Sequence, residues 1–180
     1  MNVANEHINM EEFFNEEKKG KTSLHIKWNQ AIVADCSHVF SIDLGSCSSV
    51  VLCGIDVNNT LWLGINHLFK CKNNDRDMSL EHISSLYNEL QDKKVTSIKC
   101  IGIFGAGYSE NSLAKKVAKE NVINILEALH IFKLNIEIFQ TGYMQGLSII
   151  RSKSRNSIII KQFNLMKKKK QFYEISLNDL

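Results

Sequence analysis

Short β-favouring runs dominate this chain and come in groups, and that grouping constrains the fold more than any other feature. Residues 24–28, 31–34, 38–42, 50–53 and 61–65 follow one another with only turns between them. Each is rich in Val, Ile, Leu or aromatic side chains. The Asn58-Asn59 pair marks one of those turns. Further on, residues 98–104 read as a buried strand, and 135–139, 146–151, 157–163 and 171–175 finish the chain in the same style. Helical periodicity is confined to two stretches. After Asp77, Leu80, Ile83, Leu86, Tyr87 and Leu90 recur at helical spacing to about Asp92. From Asn111 or Ser112, the residues Leu113, Val117, Val122, Ile125, Leu126 and Leu129 form a second apolar stripe. Strands in groups with two long helices predict an α+β fold: a layered α/β sandwich with mixed or antiparallel sheets, not a regular βαβ alternation.

At 180 residues the chain suits one domain, large enough to hold together through an apolar core. Residues 1–21 read as a polar, partly disordered leader and 22–180 as the domain. There is no proline, so Gly, Asn, Asp and Ser must make the turns. The 22 basic and 19 acidic residues leave a net charge of +3, too balanced for a nucleic-acid partner. The one dense basic run, Lys167 to Lys170, reads as a solvated edge or hairpin tip. No segment approaches the ~18 apolar residues of a membrane helix. The glutamate-rich start lacks the apolar core of a secretory signal. The expectation is a cytoplasmic protein with reduced thiols.

Five cysteines, with no Cys-x-x-Cys pair, argue against a disulfide framework or a zinc site. Most should be small buried hydrophobes. Cys47 stands apart. It lies in Ser-Ile-Asp-Leu-Gly-Ser-Cys-Ser-Ser-Val, where a β run ends at Leu44 and Gly45 permits a sharp turn. A backbone turning at Gly45 and Ser46 can aim the thiol and neighbouring N–H groups at one point, which suits a nucleophile beside an oxyanion hole. A thiol needs a base, and His67, after Asn66 in an otherwise apolar strand, can serve. A third group normally orients the base. Ser41 and Asp43 are the candidates, and strand alternation puts both on one face. Taken singly, a cysteine after a turn is commonly just buried, and a histidine in an apolar strand is commonly a core histidine. His25, His38, His82 and His130 show no metal-ligand spacing. Trp28 and Trp62 read as core or rim packing. Asp75, Arg76 and Asp77 read as a charged loop.

These residues resemble the CheD family of chemoreceptor glutamine deamidases. The family's Thr-x-Leu-Gly-Ser-Cys-like segment has its counterpart in Ile42 to Cys47 with Ser41 in front. Its Gly-x-Asn-His segment follows about twenty residues on, as Gly64-Ile65-Asn66-His67. Phe104-Gly105-Ala106-Gly107 stands where the family has Phe-Gly-Gly-Ala, Asn121-Val122 opens a helical stretch, and Thr141 to Gly146 matches a glycine-rich segment. The resemblance implies Cys47 as nucleophile, His67 as base and then acid, and Ser41 in place of a threonine. It puts Asp43, Asn66, Phe104 and Gly105 on the site rim. It also implies a fold similar to the cytotoxic necrotizing factor deamidases, with no metal and no cofactor. The implied reaction deamidates glutamine side chains on the cytoplasmic domain of methyl-accepting chemoreceptors, with hydrolysis of glutamyl methyl esters as a second activity. Some members bind a CheC-type phosphatase. Asp43, Cys71 (for a proline), Gln140, Tyr143 and Leu147 depart from the family pattern. Those departures motivate an alternative, a non-catalytic chemotaxis adaptor of the same fold. A thiol hydrolase acting on a small amide is a more remote reading.

Overall fold

A computed structural model describes residues 15, 18–45, 47–68, 75–104, 112–134, 136–140, 145–152, 157–164 and 169–178. Most of the leader, and the sequence-expected site residues Ser46 and Gly105, lie outside these residues, as does Cys71. The strands are β1 (Thr22–His25), β2 (Gln30–Asp35), β3 (His38–Leu44), β4 (Ser48–Asp56), β5 (Leu61–His67), β6 (Val95–Phe104), β7 (Ile136–Gln140), β8 (Gln145–Ser152), β9 (Ser157–Asn164) and β10 (Lys169–Ser176). The helices are α1 (Asp75–Asp92) and α2 (Ser112–Ile131). They make the expected α+β fold, with two mixed sheets and two long helices.

One five-stranded sheet has the order β1-β3-β8-β9-β10, the other β2-β5-β4-β6-β7. Each is antiparallel except for one parallel pair at its edge, β1 with β3 and β6 with β7. Between the sheets lies a core that includes Phe40, Ile42, Leu44, Val51, Ile65, Ile149 and Ile160. On the other face of the second sheet, Val50, Leu52 and Leu68 meet Ile83, Leu86 and Leu90 of α1 and Ile125 and Leu129 of α2. The order is therefore sheet, sheet, helices. Central β4 is buried on both faces along Ser48 to Gly54, which is why it reads as a continuous run instead of an alternating one. β3 alternates: Phe40, Ile42 and Leu44 point into the core, while Ser41 is half-buried and Asp43 exposed on its other side.

Three sequence expectations are corrected. The first strand ends at His25, not residue 28, because the chain leaves one sheet there and crosses to the other; Asn29 turns it with a left-handed backbone, φ 54°. Trp28 lies on that crossover and is 67% exposed, so it is not a core residue. Asp75, Arg76 and Asp77 belong to the first turn of α1 and not to a loop. Lys167 and Lys168 of the basic run lie outside the described residues; Lys169 and Lys170 open β10, and Lys170 is exposed as a solvated edge should be. Among the described residues no helix is long and apolar enough to cross a membrane.

Candidate active site

Two passages from one sheet to the other and the open end of the β4–β5 hairpin converge at one end of the sandwich. β1 leaves at Ile26, β3 hands over to β4 around Gly45 and Cys47, and β5 closes beside the start of β4. The β4–β5 ladder runs regularly from Ile55↔Leu61 to Val51↔Ile65. Asn66 then interrupts it. Its side-chain Oδ1 accepts the Val50 N–H at 2.6 Å, and its carbonyl accepts the Ser49 hydroxyl at 2.5 Å. Pairing resumes at Ser48 and Leu68, which exchange N–H···O bonds of 2.9 and 2.8 Å. The count of residues on both strands is kept across the break, so Ser49 stands opposite His67. Cys47, two residues before Ser49, is a diagonal neighbour of His67. Cys47 belongs to the core between the sheets and Leu68 to the core beneath the helices. By alternation, His67 faces the same side as Cys47. Diagonal positions of this kind lie about 7–8 Å apart, within reach of long side chains.

His67 is 1% exposed. Its Nδ1 is 3.1 Å from the Ile26 carbonyl. A carbonyl can only accept, so Nδ1 carries the proton in this contact and Nε2 is left as the basic nitrogen. Nε2 is buried and has no hydrogen-bond partner among the described residues. The same crossover holds the residue from behind, since the Asn29 N–H donates to the His67 carbonyl at 2.7 Å. Burial pushes the imidazole below its usual range; the Ile26 carbonyl and the Asp43 carboxylate oppose that shift, and His25 adds to it.

Cys47 is 4% exposed. Burial pushes its thiol up to about 11, although hydrogen bonds from the backbone of Gly45 and of Cys47 itself favour the thiolate. The resting pair is therefore a neutral thiol and a neutral imidazole.

The Ser41 hydroxyl lies 3.2 Å from His25 Nδ1 and 3.5 Å from the Leu24 carbonyl. The side chain that sequence offered to orient His67 is thus engaged with His25, and the orienting acceptor is the Ile26 carbonyl. Ser41 contributes through its backbone: its carbonyl accepts the Ile26 N–H at 2.9 Å. One residue, Ile26, thereby links β3, the strand leading to Cys47, with the imidazole. Asp43 is exposed and opposite Gly146. Asn66 is fully buried, with Nδ2 unpartnered among the described residues. The backbone of Phe104 pairs with Ser48, which brings the end of β6 to the same place.

Sequence reasoning missed the Ile26 carbonyl, the Asn29 amide and His25. Backbone acceptors carry no side-chain signal. His25 reaches Ser41 only through the parallel pairing of β1 with β3, which no local pattern announces. Cys53 and Cys100 are buried among apolar side chains, as expected of structural cysteines.

No family model matches the chain, and no curated protein matches it. Among solved structures it is similar to the C-terminal domain of CNFy from Yersinia pseudotuberculosis, at 9% identity and a TM-score of 0.34. That match covers 85% of this chain and 61% of the other.

Proposed function

We propose that this protein is a cysteine amidohydrolase that deamidates protein glutamine, with the cytoplasmic domain of a chemoreceptor as substrate. The observation that carries the reading is the His67 imidazole: protonated at Nδ1 by the Ile26 contact, bare at Nε2, and diagonal to Cys47 on a shared face. A neutral pair works by general-base attack instead of a preformed thiolate. As the carboxamide carbon arrives, the Cys47 proton passes to His67 Nε2 and the S–C bond forms. The carbonyl electrons move to oxygen, where the backbone N–H groups at Gly45 and Cys47 hold the oxyanion. The imidazolium protonates the departing nitrogen, the C–N bond breaks, and ammonia leaves a thioester. Water then attacks with His67 as base, the S–C bond breaks, and glutamate and the thiol are released. A glutamyl methyl ester enters the same sequence with methanol as leaving group. The family-like partner set, a receptor and a CheC-type phosphatase, and a cytoplasmic setting belong to this proposal.

Ammonia release from a chemoreceptor cytoplasmic fragment is the test. Cys47→Ala should abolish it, whereas Cys53→Ala should retain it in the folded fraction. Equal rates for wild type and Cys47→Ala would remove the thiol from the chemistry.

The depth of Cys47 favours a second reading, an adaptor that binds receptor or phosphatase without turnover. Receptor binding with no ammonia or methanol released, at any pH from 6 to about 10, would select it.

A further inference from the structure

The geometry points to Asp43 as a specificity-determining residue that favours substrate segments carrying a basic residue beside the target glutamine. The inference rests on the deamidase reading for its reaction and on the surface of β3 for its charge. Asp43 lies four residues before Cys47, near the end of β3 that hands over to the nucleophile. Its carboxylate is exposed, and no hydrogen bond or ion pair joins it to any described residue. The position opposite is Gly146; a Cβ there would sit 3.4 Å from Asp43 Oδ1. The position opposite the carboxylate is therefore bare backbone, with no side chain to shield it. On the other flank β1 has already ended at His25, so among the described residues no strand covers Asp43 on that side either.

The charge also reaches the chemistry. Asp43 acts on the buried His67, whose unpartnered Nε2 marks where the reacting carboxamide must come. A bound segment that brings its glutamine to Nε2 thus places neighbouring side chains within range of one unneutralised negative charge. Lysine or arginine there is attracted. Glutamate there is repelled, and so is the glutamate that the reaction produces, which favours product release over rebinding.

Two 20-residue helical peptides test this, each with one central glutamine, flanked one helical turn away on both sides by lysine or by glutamate. Binding to full-length Cys47→Ala protein is read by fluorescence anisotropy, and deamidation by wild type is read by ammonia release. The lysine peptide should bind about 3- to 10-fold tighter at low salt, with the ratio falling towards one at high salt. Adding Asp43→Asn should erase the ratio, whereas Asp56→Asn, at the far end of the β4–β5 hairpin, should keep it. Equal binding of the two peptides, no binding of either, or an undiminished ratio in Asp43→Asn would overturn the assignment. The two readings fail separately. A charge ratio in binding without ammonia release keeps the Asp43 assignment and defeats the deamidase, while equal binding and equal ammonia release from both peptides does the reverse.

Discussion

The two ends of the β4–β5 hairpin are built on opposite principles. At the turn end, Asp56 satisfies everything around it. Oδ1 accepts the N–H groups of Asn58 and Thr60 at 2.8 Å each, and Oδ2 accepts Trp62 Nε1 at 3.0 Å. Asn59 takes the left-handed conformation, φ 63°, and Lys93 lies 4.8 Å over the Trp62 ring. At the other end, Ser48 Oγ, Asn66 Nδ2 and His67 Nε2 are buried with no partner among the described residues. Buried polar atoms are almost always paired, and unpaired ones cost stability. Their clustering beside Cys47, within one hairpin, separates the end that holds the fold from the end where the proposed chemistry would take place.

The sharpest way to break this division is at the base. His67→Gln should lower deamidation by about 100- to 10,000-fold, the usual contribution of a general base. It should do so without unfolding the protein, and at acid pH it should relieve a weakness. The folded His67 resists protonation more than its unfolded counterpart, so the unfolded chain binds more protons as pH falls through about 6.5. Stability is lost there in wild type. In His67→Gln that part of the loss should vanish from urea titrations, and a variant that loses stability with the wild-type pH profile would show that the imidazole is not the neutral group described.

At the turn end the expected failure is mechanical. A Cβ at Gly54 would overlap the Ser97 carbonyl and the Val95 side chain on β6. Gly54→Ala should cost about 3 kcal/mol of stability, measured by denaturant unfolding, while kcat of the folded fraction stays at the wild-type value. A kcat that falls in step with stability would mean the two ends are not separate. Between these extremes lies Asn66, which belongs to both. Asn66→Ala leaves the Val50 N–H without its acceptor and also removes an unpaired amide. A net loss of about 1–2 kcal/mol follows, with faster hydrogen exchange at Val50 and no change at Asp56.

The difference between the two ends also governs what could be read from the sequence. The Asn58-Asn59 turn and the strands on either side of it were legible, because turn chemistry and apolar runs are local. Cys47 and His67 were legible as types, a thiol after a glycine turn and a lone imidazole in an apolar strand. Their company was not. β3 finds β8 across a separation that no local rule spans, and β1 lies parallel to β3 only after the chain has crossed between sheets. Those pairings bring His25 to Ser41 and the Ile26 carbonyl to His67, and so they replace the expected hydroxyl orienter with a backbone one. Ser41 and Asp43 do share a face, as alternation required, but it is the face of β3 turned away from Phe40, Ile42 and Leu44.

The smallest expected effect tests whether that outer face still speaks to the buried imidazole. Asp43 and His25 act on His67 with opposite signs, the carboxylate favouring the imidazolium and His25 disfavouring it. The acid limb of the kcat/KM profile reports the pH at which Nε2 becomes protonated and the base is lost. Removing the carboxylate in Asp43→Asn makes His67 harder to protonate, so the limb should move to lower pH. Removing the His25 ring, which disfavours the imidazolium, in His25→Gln should move it to higher pH. High salt should shrink both displacements, because the charges sit at the surface and are screened. A hydrogen-bonding role for either side chain would persist in salt, and displacements in the same direction for both variants would mean that what changed was the packing around Ile26 and not the charge.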